Sequence, residues 1–200
     1  MFTSVLPRWR KANALVDDSQ GAISPWCGEY DFARSPAMDA PYALTDAGLL
    51  AQCRIDTFRA GGPGGQHTNR TESAVRITHL VTSVVTQSQD HRDRARNQAD
   101  ALRRLRLRLA LTIRGVSQPT WLENYRRGRQ LVLGANAQHY HLVVAVALDA
   151  LDQHSGILAH AAAELAVSSS QFTKLLTADK EVHAAANILR AKHGQGTIRA

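Results

Sequence analysis

The chain has 200 residues, of which 44% are hydrophobic and 20% charged, with a net charge of +7; that is enough chain for a soluble globular fold with a core of its own. Its two cysteines, Cys27 and Cys53, lie far apart in no CxxC pair, which excludes a disulfide scaffold and a cysteine-ligated zinc and suits a reducing cytoplasm. No apolar run reaches the length of a bilayer span, so no membrane partner is expected. Met1–Asp18 lack the apolar stretch of a secretory signal, and Asp17 and Asp18 count against an organellar presequence.

The positive charge is unevenly spread. Residues 1–58 carry net −2, residues 59–114 net +7 and residues 115–200 net +2. Every basic residue of the middle segment is arginine, whose planar fork of donors suits phosphate and base edges. A polyanionic partner, most often nucleic acid, is the expectation.

In chain order, residues 1–44 read as an irregular arm. Pro25, Pro36 and Pro41, with Gly21 and Gly28, punctuate them, and Trp26, Tyr30 and Phe32 give the arm something to bury. Residues 45–51 read as a helical turn capped by Thr45. Gln52–Arg59 alternate, with Cys53, Ile55 and Thr57 on one face, which is a strand signal. Ala60–Asn69 break all regular structure. Ser73–His79 and Ser83–Gln89 alternate again, joined as a hairpin. From His91 to Ile113 the period becomes helical, with Ala101, Leu102, Leu105, Leu109 and Ile113 on one face and arginines between. Residues 45–114 are thus a β–loop–β–β–α domain, and Gly115 and Pro119 mark its boundary. Residues 115–200 read as all-helical, with helices over 120–133, 137–153, 156–166, 169–178 and 179–193. The fold class is α+β, a small sheet domain followed by a helical C-terminal region. No metal site and no cofactor are expected.

The loop Arg59–His79 carries the chemistry. Four glycines in five positions, Gly61, Gly62, Gly64 and Gly65, free the backbone and remove side chains, so that it can approach a ligand closely. No GK[ST] follows, and the GxGxxG register fails, so neither phosphate-loop motif applies. The string Gly64-Gly65-Gln66, with His67, Asn69, Glu72, Ser73, Ala74, Val75, Arg76 and His79, then Gln89-Asp90 and the arginine-rich helix, resembles the GGQ domain of class I peptide chain release factors and their ribosome-rescue relatives. The resemblance runs from about Ile55 to Leu109. Gly61, Thr68 and Arg70 depart from the usual pattern, and none of them touches the tripeptide.

This resemblance implies that the loop enters the ribosomal peptidyl transferase centre and promotes hydrolysis of the ester joining the nascent peptide to tRNA. Gly64, Gly65 and Gln66 are then the catalytic residues. The backbone N–H of Gln66 faces the developing charge, and its side chain places the water. N-methylation of Gln66 by a dedicated methyltransferase is part of the same implication. His67 tempts as a general base, but reads better as a loop or rRNA contact. Arg59, Asn69, Arg70, Arg76, Arg103 and Arg104 are the other RNA contacts expected. The partners implied are large-subunit rRNA and the peptidyl-tRNA of the P site.

Codon-reading release factors return from this domain to one that reads the stop codon, whereas here the chain turns helical after Ile113. Ser24-Pro25-Trp26 is read as a turn. Short GGQ proteins of this kind resemble rescue factors for stalled ribosomes, although the tail, with Arg190, Lys192 and Arg199, is only weakly basic and does not point to the mRNA channel. Residues 161–176 resemble a helix-turn-helix, with Ala162, Ala166 and Val167 at the helix crossing, Ser168–Ser170 as turn and cap, and Gln171 and Lys174 outward. A packing unit is favoured over a nucleic-acid reader, and duplex DNA is not the expected partner. Trp121, Tyr125, Arg126, Arg127 and Arg129 either contact rRNA or join the two domains. The competing readings are a non-catalytic ribosome- or RNA-binding module and a helix-turn-helix DNA regulator.

Overall fold

The computed structural model describes residues 40–59, 72–115 and 117–199. Most of the predicted arm therefore lies outside the described residues. Its end, Pro41–Ala43, forms a 3-10 turn that buries Tyr42 against the rest of the fold. Helix α1 spans Asp46–Leu50, and the Thr45 hydroxyl caps it by accepting from the Gly48 N–H at 3.2 Å.

Strands β1 (Cys53–Phe58), β2 (Ala74–His79) and β3 (Val85–Ser88) form an antiparallel sheet in the order β1-β2-β3. Cys53 pairs with His79 and Phe58 with Ala74, while Val75 pairs with Ser88. Period-two alternation puts Val75, Ile77 and His79 on the face that α2 (Arg94–Thr112) covers, and all three are buried. The apolar stripe of α2 lands on that face too, since Ala101, Leu102, Leu105 and Leu109 are buried. Burial of each such leucine stabilises by about 1.5–3 kcal/mol. Asp93 caps α2, its carboxylate accepting from Ala95 and Arg96 N–H groups at 2.6 and 3.1 Å, which explains why the helix begins where it does.

Beyond α2 the predicted helix over 120–133 is not what forms. Helix α3 covers only Thr120–Glu123, and β4 (Arg126–Arg127) and β5 (Gln130–Leu131) make a hairpin. Gly128 takes φ +58 at the first central position of its two-residue turn, where glycine is favoured. Leu131 and Leu133 turn inward and Val132 outward. A stretch as short as 126–131 with a mixed apolar pattern fits either period, and the turn decides between them.

The remaining helices follow the expected sequence of elements: α4 (Tyr140–Gln153), α5 (Leu158–Glu164), α6 (Ser169–Thr177) and α7 (Lys180–Lys192). Helix α4 is buried almost all round. Val143, Val144 and Leu148 belong to the cluster with α5, α6 and α7, and Ala145 belongs to the cluster of the sheet and α2. Trp121 packs against both clusters and meets Tyr42 edge-on, with ring centroids 6.1 Å apart. Ser168 caps α6, accepting from the Gln171 N–H at 3.3 Å. Ala166 does not sit at the helix crossing. It is exposed in the left-handed conformation, φ +53, and makes the turn, while Ala162 and Val167 are buried.

Candidate functional site

The glycine-rich loop leaves the sheet at the end of β1 and returns at the start of β2. Its tripeptide Gly64-Gly65-Gln66, together with His67, Asn69 and Arg70, lies outside the described residues. The neck is described. Its last rung is Phe58 opposite Ala74. Just beyond, Arg59 Nε stands 3.4 Å from Glu72 Oε1, both side chains more than half exposed. Such a pair contributes about 0–1 kcal/mol; the backbone ladder fixes the neck.

A buried side chain pins the returning strand. Asn97, fully buried in the first turn of α2, donates from Nδ2 to the carbonyls of Ser73 at 2.8 Å and His91 at 2.7 Å. Its Oδ1 accepts from the His91 N–H at 2.9 Å and the Ser88 hydroxyl at 3.3 Å. One carboxamide thereby joins the loop's return, the end of β3 and the start of α2. A lone Asn beside arginines gave no signal for this in the sequence. At the far end of β2, buried His79 takes the backbone N–H of Thr82 at Nδ1 and reaches Gln52 Oε1 through Nε2 at 3.1 Å. Burial pushes its pKa down, as suits a neutral structural imidazole. The Cys53 thiol is pushed up by burial and donates to the Leu49 carbonyl at 3.2 Å, so it is a poor nucleophile.

The predicted arginine contacts fare differently from one another. Arg76 lies exposed on the open face of the sheet, opposite Asp56, its guanidinium 5.2 Å from the Phe58 ring centroid. Arg103 pairs with Asp100 at 3.1 Å. Arg104 is held by the Gln87 carbonyl at 2.7 Å and by Asp90, which ties α2 to β3. Further along, Arg106 meets Asp46, Arg108 meets Glu181 and Arg114 meets Asp149. Most of the arginines on the second half of α2 are thus matched by acids. Arg92, Arg94 and Arg96 are exposed and have no acid partner among the described residues. They gather at the N-terminal end of α2, the end that Asn97 joins to the loop neck. Cations are disfavoured at that end of a helix, so their placement there suits an external polyanion. These three are not among the contacts expected from sequence, although Arg-Asp-Arg-Ala-Arg after Gln89-Asp90 is a signal for them.

Among the described residues no group of three His, Cys, Asp or Glu side chains is placed to hold a metal ion. What the arrangement supplies is a backbone loop held by both ends on a short sheet, with cations beside its neck.

The family model of the RF-1 domain matches residues 50–132. Over 59 residues the chain is 56% identical to "Peptide chain release factor 2" of Burkholderia pseudomallei (strain 1106a), covering 30% of this chain and 16% of the relative. The same figures hold for the protein of that name from Burkholderia mallei (strain ATCC 23344). The alignment thus spans about a sixth of the length of the curated relatives, 16%. Residues 50–132 thus match an RF-1 domain, and the relatives aligned to the chain carry the name of peptide chain release factors. The match reaches past Leu109, where the resemblance in sequence fades, and takes in the β4–β5 hairpin.

Proposed function

We propose that this chain promotes hydrolysis of peptidyl-tRNA in the peptidyl transferase centre of the ribosome through Gly64, Gly65 and Gln66, without reading a codon, and so rescues stalled ribosomes in the cytoplasm. The observation that carries the reading is an intact Gly-Gly-Gln tripeptide within an RF-1 domain. Relatives that carry the domain bear the name of a peptide chain release factor.

The chemistry needs position more than acid–base strength. Water attacks the acyl carbon, and negative charge develops on the acyl oxygen and on the leaving ribose oxygen. The Gln66 N–H, presented by a path that Gly64 and Gly65 allow, stabilises that charge. The Gln66 side chain orients the water, and the β1–β2 ladder fixes the points from which the chain leaves for the loop and returns from it. Arg59, Arg70 and Arg76, with His67 and Asn69, contact rRNA, and Arg92, Arg94 and Arg96 add phosphate contacts beside the neck. Arg103 and Arg104 contribute less to RNA binding, because acids already engage them. Gln66 is the substrate of a glutamine methyltransferase.

Codon independence is the part of the proposal that the release assay decides; after α2 the chain runs through a hairpin into four helices that pack on α2 and on one another.

The test is peptide release from ribosomes holding peptidyl-tRNA on truncated mRNA, on a sense codon and on a stop codon, with wild type beside Gly65→Ala. Release on truncated mRNA, lost in the variant, is the expected result. Release confined to stop codons overturns codon independence. Ribosome binding without release on any mRNA favours a non-catalytic binding module.

A further inference from the structure

The aromatic and basic residues C-terminal to α2 part company in the structure. Trp121 packs on both hydrophobic clusters. Tyr125 packs on the helical one, with its hydroxyl hydrogen-bonded to His139 Nδ1. The arginines of the same stretch turn away from the core. Arg127 and Arg129 are exposed, and Arg126 is half-buried. None of the three has an acid partner among the described residues. No acidic residue occurs between Glu123 and Asp149. This contrasts with the second half of α2, where arginine after arginine meets a carboxylate.

The hairpin that carries them is firmly held. Arg127 pairs with Gln130 across the turn at Gly128. The Val132 N–H donates to the Tyr125 carbonyl at 2.8 Å, which extends the ladder toward its base. At the tip, the Ser168 N–H donates to the Arg129 carbonyl at 2.9 Å, which fixes the turn against the cap of α6. That neighbouring helix contains no acidic residue and opens with the exposed hydroxyls of Ser169 and Ser170. The last acid before it, Glu164, is engaged by His154 Nε2. Three guanidinium groups on one short hairpin repel one another, and no carboxylate among the described residues offsets that repulsion. Their backbone is ordered in advance, so a ligand that neutralises them loses little entropy in doing so. Planar guanidinium forks match the oxygens of a phosphodiester, and hydroxyls at a helix start add donors to the same groups.

We propose that Arg126, Arg127 and Arg129, with the serines that open α6, form a phosphate-binding surface for structured RNA, made of residues other than those of the glycine-rich loop. The choice of RNA over duplex DNA rests on the function proposed above; the surface itself does not. It gives the region C-terminal to α2 a task, which is to grip an RNA backbone.

The experiment is binding of the full chain to a fluorescent RNA stem-loop across a salt titration. The variant Arg127→Ala/Arg129→Ala is compared with Lys180→Ala/Lys192→Ala, which removes the same charge from α7. The hairpin variant is expected to bind about tenfold or more weakly near 0.1 M salt, with a log–log salt slope smaller by about two. Arg127→Lys/Arg129→Lys should recover the slope, which separates lost phosphate contacts from a damaged fold. Unchanged binding in the hairpin variant, or an equal loss in the α7 control, overturns the proposal. Equal affinity for a DNA duplex of the same sequence, lost in the same variant, overturns the assignment to RNA. RNA binding that depends on the hairpin, in a protein that releases no peptide, sinks the release reading and leaves this surface standing.

Discussion

Asn97 Nδ2 lies 2.8 Å from the carbonyl oxygen of Ser73, so the residue just before the strand that follows the glycine-rich loop hangs on one amide of α2. Asn97→Ala leaves the Ser73 and His91 carbonyls and the His91 N–H without that partner. A loss of about 2–4 kcal/mol is expected in urea unfolding. Asn97→Asp keeps the shape and the acceptors but cannot donate to two carbonyls. It should destabilise as well, and a loss confined to the alanine variant would mean that packing, and not this hub, holds the loop's return.

Asp149 brackets the link after α2. Its Oδ1 accepts from Arg114 at 3.1 Å and from the Gly115 N–H at 3.0 Å, and its Oδ2 accepts from the Ser117 N–H at 3.1 Å. Among the described residues, Arg114 Nε and Nη2 and the Tyr42 hydroxyl are buried without partners, and burial lowers the Arg114 pKa. Asp149→Ala strands a buried guanidinium and should cost about 3–5 kcal/mol. Tyr42→Phe removes a buried hydroxyl that has no hydrogen-bond partner among the described residues, and should be neutral or stabilise by about 1 kcal/mol. Thermal melts of the two variants check both signs.

Two buried histidines set an acid limit on stability. Burial, with the Arg106 charge adding to it, lowers His141 to about 4; burial lowers His79 as well. Between the folded value and the unfolded one, near 6.5, the unfolded chain binds the proton and the folded chain does not. Stability is therefore intact above the unfolded value and falls as pH drops through that window. His141 alone accounts for at most about 3 kcal/mol. His141→Gln should flatten the pH dependence of unfolding between pH 4 and 6.5, and a profile as steep as wild type would show that this imidazole protonates freely in the fold.

The proposed chemistry separates a backbone role from a side-chain role at Gln66. Gln66→Ala keeps the N–H and Gln66→Pro removes it. Release should fall about a hundredfold further in the proline variant than in the alanine variant, with both folded to wild-type melting temperature. Equal losses would assign the catalysis to the carboxamide instead.

Sequence by itself determined the elements whose signals are local. Thr45 and Ser168 announced their caps by type. Alternation over 73–79 and the leucines of 101–113 announced a strand and a helix because one buried face forces one period. The string Gly64-Gly65-Gln66 can be read without a fold because it is contiguous in the chain. Tertiary structure decided what depends on partners distant in the chain. It bent residues 126–131 into a hairpin where a helix fitted equally well, because a glycine turn and the inward Leu131 and Leu133 outweighed propensity. It gave Asn97 its hub and Asp149 its bracket. It also redistributed the meaning of the charge. The eleven arginines of 59–114 looked alike as sequence, yet Asp46, Asp90, Asp100, Asp149 and Glu181 engage five of those on α2 and just beyond it, leaving Arg92, Arg94 and Arg96 open, as are Arg127 and Arg129 on the hairpin. Net charge is a sum over the chain, whereas a phosphate responds to the cations that no carboxylate has already reached.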